Sequence, residues 1–540
     1  MLARAGAWQR RGGGGRRTRV HFRAWCVSAP LLAALLVTLL LGSAVCGGMT
    51  LGSDAPQTTQ PRAGTAGGDA ALRRAAEALE PELFERLPSA GSGAFLLDEL
   101  PRTPCWHDDG GDGDGGGGGS VRARAEAELV GVARTSKQSL VWNSVRVPDP
   151  LQGLSAYVYV READHRDCVT DATRLNSISH QLRCLPSFHM LGPFHTGVGD
   201  LYRRVAAHPD VMTSAPAQLH FWAEERPAEA LFRAYAPAAA SIARTAAGKG
   251  EGAGAAAARM VFGDASPSTF SFYRAHGPRF HRDYLEALHP CYAACNDGKS
   301  GKSKEEKDAC KAACFEPARR AQAAADEARG ARLQIPTLMR AAYGDSSERL
   351  RLVVTLRDPT ERLHNAFWFY GHYSKRYGET PEGFLAYARE QIGGVRACLE
   401  AFSERDCVLN FEGLRLQEER LFFHADQIFR GMYVVFAEEW LAAFPEGQLM
   451  FVLSEDLFAD PLPIVRNVWA HLGLRAPSGV EDEKWIAAAT APHKSRRERA
   501  LPAMLPEARA LVDQFYAPYN SRLAELLGDE RFLWRRDDAP

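Results

Sequence analysis

The sequence predicts an α/β domain with a central parallel sheet flanked by helices, set behind a transmembrane anchor and a flexible stem. Three observations predict it. From about Leu151 onward, short β-rich runs alternate with longer stretches of helical character, the pattern of strand–helix units. Residues 47–150 are instead rich in Gly, Ala, Pro and Arg, a composition too poor in large apolar side chains to build a core. Ahead of them lies an apolar run, roughly Ala24 to Met49, that includes LLAALLVTLLL.

Taken in order, residues 1–23 carry seven arginines and no acidic residue. Arginines on that side only place the tail in the cytosol and the body in the lumen, with the span over 24–46. The run is long enough to cross a bilayer. A cleaved signal peptide is the rival reading, because Gly42-Ser43-Ala44-Val45-Cys46 offers small residues near a cut. In the stem, Asp108–Gly119 is almost pure Asp and Gly. It lacks the spaced ligands and closing Glu of a calcium-binding loop, which leaves a solvated linker.

The lumenal domain is placed over 151–540. Its expected strands are Leu185–Leu191, Met260–Phe262, Leu350–Leu356 and Gln448–Leu453, of which LRLVVTL is apolar on both faces. Helices are expected over about Asp200–Ala207, from near Thr360 through HNAFWFYGHY, and over about Pro463–Leu472. Ligands of parallel sheets sit beyond the carboxyl ends of the strands, so the loops after Leu191 and Leu356 are the functional ones.

Eleven cysteines are present. Cys291, Cys295, Cys310 and Cys314 form C-x3-C twice, which puts each pair on one helix face and suggests a helical hairpin over about 285–320 stapled by two disulfides. Zinc is the alternative, although zinc motifs more often use two-residue spacing. Cys398 and Cys407 form a second local pair. The net charge of −1 gives no sign of nucleic-acid binding, so an anionic ligand needs a local basic site.

Two loops carry the chemistry. Leu191-Gly192-Pro193-Phe194-His195-Thr196-Gly197-Val198-Gly199-Asp200 lies between an expected strand and helix, where backbone N–H groups can wrap a phosphate. It lacks the Lys and Ser/Thr of a nucleoside-triphosphate loop, which argues against a kinase. Arg357-Asp358-Pro359-Thr360-Glu361-Arg362 follows the buried strand. There the Arg357 fork can hold a phosphate, Thr360 or Asp358 can cap the next helix, and Asn365 can donate to the same group.

Together these loops resemble the two phosphosulfate-binding elements of carbohydrate sulfotransferases that use 3′-phosphoadenosine 5′-phosphosulfate (PAPS), nearest to the N-acetylgalactosamine 4-sulfate 6-O-sulfotransferase type. The resemblance extends through Pro104-Cys105-Trp106, Leu182–Pro186, His220-Phe221-Trp222, Gly263–Thr269, Gly431–Phe444 and Phe515–Asn520. It implies a P-loop-kinase-like domain, a Golgi membrane location with single-pass type II topology, a glycan acceptor and no metal. His195, Thr196, Gly197, Val198, Gly199 and Asp200 would hold the 5′-phosphosulfate. Arg357 and Asn365 would hold the 3′-phosphate, and Lys494, Ser495 and Arg496 would close over the donor.

The sequence departs from that pattern where catalysis is concentrated. His195 stands in place of the loop Lys, and Val198 and Gly199 in place of hydroxyl residues. Gln218 stands in place of the expected Glu base, and Asn365 in place of a Ser. A protonated His195 could restore the charge, and His220 is the nearest replacement base, ahead of Glu224 and Glu225. Two expectations follow: an active enzyme with shifted catalytic groups, or a relative that binds nucleotide or glycan without turnover. Among His220, Trp222, Arg226 and Trp368, aromatic faces and cations suit an anionic or sulfated polysaccharide.

Overall fold

The computed structural model describes residues 66–89, 91–98, 100, 102–107, 143–148, 155–160, 182–223, 227–248, 252–271, 280, 282–295, 303–330, 333–401, 403–410, 426–479, 482–492 and 501–535. The expected anchor, the Asp/Gly tract, Glu224 to Arg226 and Lys494 to Arg497 lie outside them. Among the described residues, no helix is long and apolar enough to cross a membrane.

The stretch expected to be a flexible stem contains folded structure. Helix α1 (Ala66–Leu79) buries Leu72, Ala75, Ala76 and Leu79, spaced as one helix face, in the main core. Arg340 grips Asp69 with two nitrogens at 2.9 and 3.1 Å, and Arg73 donates to Ala341 O and Pro88 O. Strand β1 (Cys105–His107) follows, and its Cys105 is bonded to Cys184. The Gly and Ala content hid this short apolar stripe, because alanine counts little in composition yet packs closely. Strands β2 (Asn143–Pro148) and β3 (Ser155–Val160) pair as an antiparallel hairpin.

The strand expected over Leu185–Leu191 shortens to Phe188–Leu191, and a separate short strand precedes it. Strand β4 (Leu182–Cys184) pairs antiparallel with β1, and β5 (Phe188–Leu191) enters the main sheet. Pro186 separates them, having no N–H for a ladder. Helix α2 (Val198–Val205) and helix α3 (Ala228–Ala246) come next. The expected strand at Met260–Phe262 reduces to one bridge, Val211 to Val261, followed by the two-residue β6 (Gly263–Asp264).

Helices α4 (Arg282–Cys295), α5 (Lys304–Ala312) and α6 (Phe315–Arg329) make the cysteine-rich hairpin. Cys291–Cys314 and Cys295–Cys310 are disulfides, as is Cys398–Cys407. Tyr284, Leu288, Phe315 and Ala318 give this hairpin a small core of its own.

Helix α7 (Ile335–Tyr343) leads into strand β7 (Arg351–Leu356) and helix α8 (Pro359–Phe369). The last stops at Tyr370, whose backbone is extended, so the predicted run through His372 is broken. Helix α9 (Tyr433–Ala443), strand β8 (Leu449–Leu453), helix α10 (Ser454–Ala459), helix α11 (Pro461–His471) and helix α12 (Pro506–Leu527) complete the elements used below.

The sheet order is β6-β5-β7-β8 and every pairing in it is parallel. Both faces are covered, which explains the continuous apolar run of β7. Val353 packs with α2 and α11 through Val198, Leu201, Val465 and Trp469. Leu352, Val354 and Leu356 face the opposite core, with Leu338, Met339, Leu363 and Trp440. The chain leaves β5 for one edge and returns to the other side at β7. The switch point therefore lies between the carboxyl ends of β5 and β7, where a crevice opens in such sheets.

Candidate functional site

Both expected loops lie at this switch point and touch. Arg357 Nη1 donates to His195 O at 3.4 Å. The Ser454 hydroxyl lies 2.5 Å from Thr196 O and 2.9 Å from Leu356 O, joining the first loop to the end of β7. Asp358 caps α8 by accepting from Thr360 N at 2.8 Å, while its own N–H donates to Glu455 at 2.8 Å. The Tyr433 hydroxyl donates to Arg357 O at 2.8 Å. Arg357 is thus half-buried in a backbone held at Leu356 O, Arg357 O and Asp358 N.

The first loop is drawn tight against β7. Gly192 has φ +143°, and a Cβ there would lie 2.4 Å from Thr355 O. Gly197, at φ +83°, precedes α2 in a left-handed conformation. His195 shares that left-handed region at φ 73°, uncommon for a side chain with a Cβ. First-turn amides of a helix have no intrahelical acceptor, which makes the N-terminus of α2 favourable for an anion.

The structure reassigns several side chains of this loop. Thr196 is fully buried and its hydroxyl donates to Pro193 O at 2.8 Å, so it shapes the turn. The Asp200 carboxylate accepts from Arg203 at 2.6 Å and Arg204 at 2.7 Å. Burial pushes its pKa up, but these two partners outweigh it and hold it below the ordinary value. Asp200 is an anion turned to its own helix, and its N–H donates to Gly197 O at 3.0 Å. Val198 packs into the core beneath the sheet, and Gly199 is exposed.

His195 does not supply the positive charge expected of it. Burial lowers its pKa most, and the guanidiniums of Arg362, Arg357 and Arg430 lower it further, to about 3. The ring is neutral near pH 7, with Nε2 buried and without a hydrogen-bond partner. It packs edge-on to Phe369 at 4.7 Å and Tyr370 at 5.4 Å. Three guanidiniums therefore gather where the loop itself has no cation. Arg362 is fully buried and donates to the side chain and carbonyl of Gln427. Arg430 lies 5.0 Å over the Phe194 ring. Neither was singled out as a ligand from the sequence, although Arg362 sits in the quoted R-D-P-T-E-R run.

The proposed base region lies on the same side. Gln218 is exposed, and a side chain placed on Gly199 would meet its Nε2 at 3.5 Å. His220 stacks on Phe194, with ring planes 5° apart and centroids 6.2 Å apart. Its Nδ1 is 2.7 Å from Ser268 Oγ, and its backbone N–H donates to Ser266 Oγ at 2.8 Å. Buried Asp264 anchors this corner by accepting from Leu219 N and Ser266 N, both at 3.0 Å. The Gly263–Thr269 run thus shapes the turn that presents His220. Asn365 is half-buried on the second turn of α8. Trp222 is 2% exposed and belongs to the core, so it cannot line a sugar groove. Trp368 is packed on the core and donates to His364 at 2.9 Å.

No protein-family model matches the chain. Carbohydrate sulfotransferase 15 of Homo sapiens is 25% identical over 381 residues, covering 66% of this chain and 55% of its own length. The Mus musculus protein of the same name is 23% identical over the same shares. Heparan sulfate glucosamine 3-O-sulfotransferase 3B1 of Mus musculus is 30% identical over 117 residues, 19% of this chain and 30% of its own length. The chain thus spans about half the length of the curated carbohydrate sulfotransferase 15 proteins it matches. A sulfotransferase structure from Alicyclobacillus acidocaldarius covers 65% of this chain and 99% of its own at 16% identity, with a TM-score of 0.33, too low to bear on the fold. The similarity read from the motifs is borne out across two thirds of the chain, which is similar in sequence to the carbohydrate sulfotransferase 15 proteins.

Proposed function

We propose that this protein transfers a sulfuryl group from PAPS to a hydroxyl of a glycan, an anionic or sulfated polysaccharide. One observation carries the reading: the loops after β5 and β7 meet at the switch point, where three arginines lie near a neutral, half-buried His195 whose buried Nε2 has no hydrogen-bond partner. Buried cations of one sign gain most from an anionic ligand. The sequence relatives support the sulfuryl chemistry, and the missing loop Lys argues against a nucleotide kinase.

PAPS would bring the activated sulfuryl group. The first loop and the N-terminus of α2 would receive its 5′-phosphosulfate, with Arg357 and Asn365 at the 3′-phosphate. His195, as a neutral imidazole, would donate a hydrogen bond rather than a full charge. His220, oriented by Ser268, would take the proton of the acceptor hydroxyl, because Gln218 has no basic site. Lys494, Ser495 and Arg496 would close over the donor. A Golgi membrane anchored through residues 24–46 is the setting this chemistry and the basic tail suggest.

The test is calorimetric titration of the whole chain with adenosine 3′,5′-bisphosphate, followed by transfer from labelled PAPS to a panel of glycans. Saturable binding plus labelling of anionic polysaccharides is the expected result. Labelling of neutral sugars or small phenols alone would sink the acceptor class. Binding with no labelling of any glycan would leave a nucleotide-binding relative without turnover. His220→Asn keeps a side chain suited to the positive φ of 59° at this position. It should leave nucleotide affinity unchanged and abolish most turnover.

A further inference from the structure

A polysaccharide acceptor needs a surface that leads to the base, presents an apolar ring to a sugar face and carries charge opposite to its own. The tryptophans expected to serve, Trp222 and Trp368, are packed in the core. Exposed large apolar side chains are the remaining places to look, and where they gather they mark contact surfaces. Among the described residues these are Phe369, Phe458, Leu501 and Leu526. Two of the four flank the glycine-rich loop. Phe369 is 47% exposed and meets His195 edge-on at 4.7 Å. Phe458 is 53% exposed, and a Cβ on Gly197 would lie 3.0 Å from its ring.

Charge tells the two flanks apart. Phe458 sits in α10 among Glu455, Asp456 and the following Asp460, and only Arg531 reaches across to Asp456. Phe369 ends α8, and the short helix Gly371–Tyr377 that follows carries His372, Lys375 and Arg376 and no acid. An anionic chain is drawn to the second flank and not to the first. That short helix is firmly aimed. Tyr373 and Ser374 are buried, the Tyr373 hydroxyl donates to Asp426 at 2.8 Å, and the Tyr377 hydroxyl accepts from Gln391 at 2.8 Å. His372, Lys375 and Arg376, three and four residues apart, share the exposed face. A row of rings joins this face to the loop, His195 to Tyr370 at 5.4 Å and Tyr370 to His372 at 5.9 Å. His195 follows Phe194, on which His220 stacks, so adjacent loop residues carry the proposed base and the start of this row. Burial of part of its ring lowers the His372 pKa, so it brings a hydrogen bond and little charge. Arg376 pairs with Glu390 at 2.9 Å, an exposed pair of little strength.

Resting on the sulfotransferase reading above, we propose that the anionic polysaccharide acceptor leaves the site over Phe369 and along the outer face of Gly371–Tyr377, with a sugar ring on the Phe369 face and sulfate or carboxylate groups at Lys375 and Arg376. The apolar C–H face of a sugar suits the open face of the ring, whose edges His195 and Tyr370 steady. The ring sets position, and the charges set the preference for an anionic chain.

The experiment uses the whole chain, with fluorescently labelled dextran sulfate and unsulfated dextran as probes, beside a thermal melt and a titration with adenosine 3′,5′-bisphosphate. The unaltered chain should bind dextran sulfate and bind dextran far more weakly. Lys375→Glu should weaken dextran sulfate about 10-fold and leave the nucleotide within about 2-fold. Phe369→Ala should weaken dextran sulfate about 5-fold, and Phe369→Tyr, which keeps the ring, should stay within about 2-fold. Lys304→Glu, the same charge change on the exposed start of α5 in the cysteine-rich hairpin, should do little. Equal losses from Lys304→Glu and Lys375→Glu would mean that the polyanion reads only overall charge, which overturns the assignment. If Phe369→Ala does not fold, that pair of lysine variants decides alone. Equal binding of dextran and dextran sulfate, or variants that bind like the unaltered chain, also overturn it while leaving the sulfotransferase reading standing. Absence of dextran sulfate binding in the unaltered chain overturns the assignment, and absence of nucleotide binding as well overturns both.

Discussion

The loops after β5 and β7 are sister units: each leaves a parallel strand, turns at the sheet's carboxyl edge and enters a helix. They differ in where their chemistry resides. The β7 unit carries it in side chains: Arg357 projects from a backbone held by Tyr433 and Glu455, and Asp358 caps the helix. The β5 unit carries it in backbone shape, with positive φ at Gly192, His195 and Gly197 and its side chains turned inward or to their own helix. One unit supplies a cation and the other a cradle. Damage to the cradle should therefore act through stability, and damage to the cation through affinity.

The largest expected effect is on the cradle. Gly192→Ala puts a Cβ 2.4 Å from a strand carbonyl in a backbone region that suits glycine. Neither the carbonyl nor the strand can give way without breaking the sheet. A loss of about 3 kcal/mol or more is expected, read as a lowered melting temperature together with absent nucleotide binding. A variant that melts with the unaltered protein would break the distinction at its root.

The second effect belongs to the cation. Arg357→Ala should leave the melting temperature almost unchanged and weaken adenosine 3′,5′-bisphosphate by about 10- to 100-fold. Adenosine 5′-monophosphate, which lacks the 3′-phosphate, should lose far less. Equal losses for the two ligands would move Arg357 away from the 3′-phosphate.

Acid should separate the units further. His189 and His195 belong to the β5 unit and His364 to the β7 unit. Burial is the main cause in all three, lowering His189 and His364 to about 4 and His195 to about 3. Folded pKa values below the unfolded 6.5 mean that unfolding takes up protons. The stability they confer is fully present above about pH 6.5 and is lost as pH falls toward 4. Each histidine adds at most about 1.4 kcal/mol per pH unit. Melting curves between pH 7 and pH 5 should fall less steeply for His195→Asn than for the unaltered protein.

How much of this was legible in the sequence follows the same division. Strand β7 was plain, because a strand buried on both faces is apolar throughout, and Arg357 at its end was found with it. That two disulfides staple the hairpin followed from twin helical spacing, but which cysteine bonds to which did not. Cys105–Cys184 was not paired in advance, since its partners lie 79 residues apart and only the fold brings β1 to β4. The place of Arg430 over Phe194 was invisible for a related reason: a side chain that reaches a loop from a distant turn leaves no local motif. Composition also misjudged residues 66–107, where an alanine-rich helix packs by shape.

The smallest effect concerns the joint between the two units. The Ser454 hydroxyl is fully buried within hydrogen-bond distance of Thr196 O in the cradle and Leu356 O at the root of the cation. Replacing it with Ala removes the single O–H that the two carbonyls share but opens little space, so a loss of about 1–2 kcal/mol is expected. If the joint only stabilises, nucleotide affinity in Ser454→Ala should match the unaltered protein once both are folded. If it also sets the distance between cradle and cation, affinity for the 3′,5′-bisphosphate should fall while affinity for each monophosphate holds. Only a ligand that spans both loops can sense their spacing.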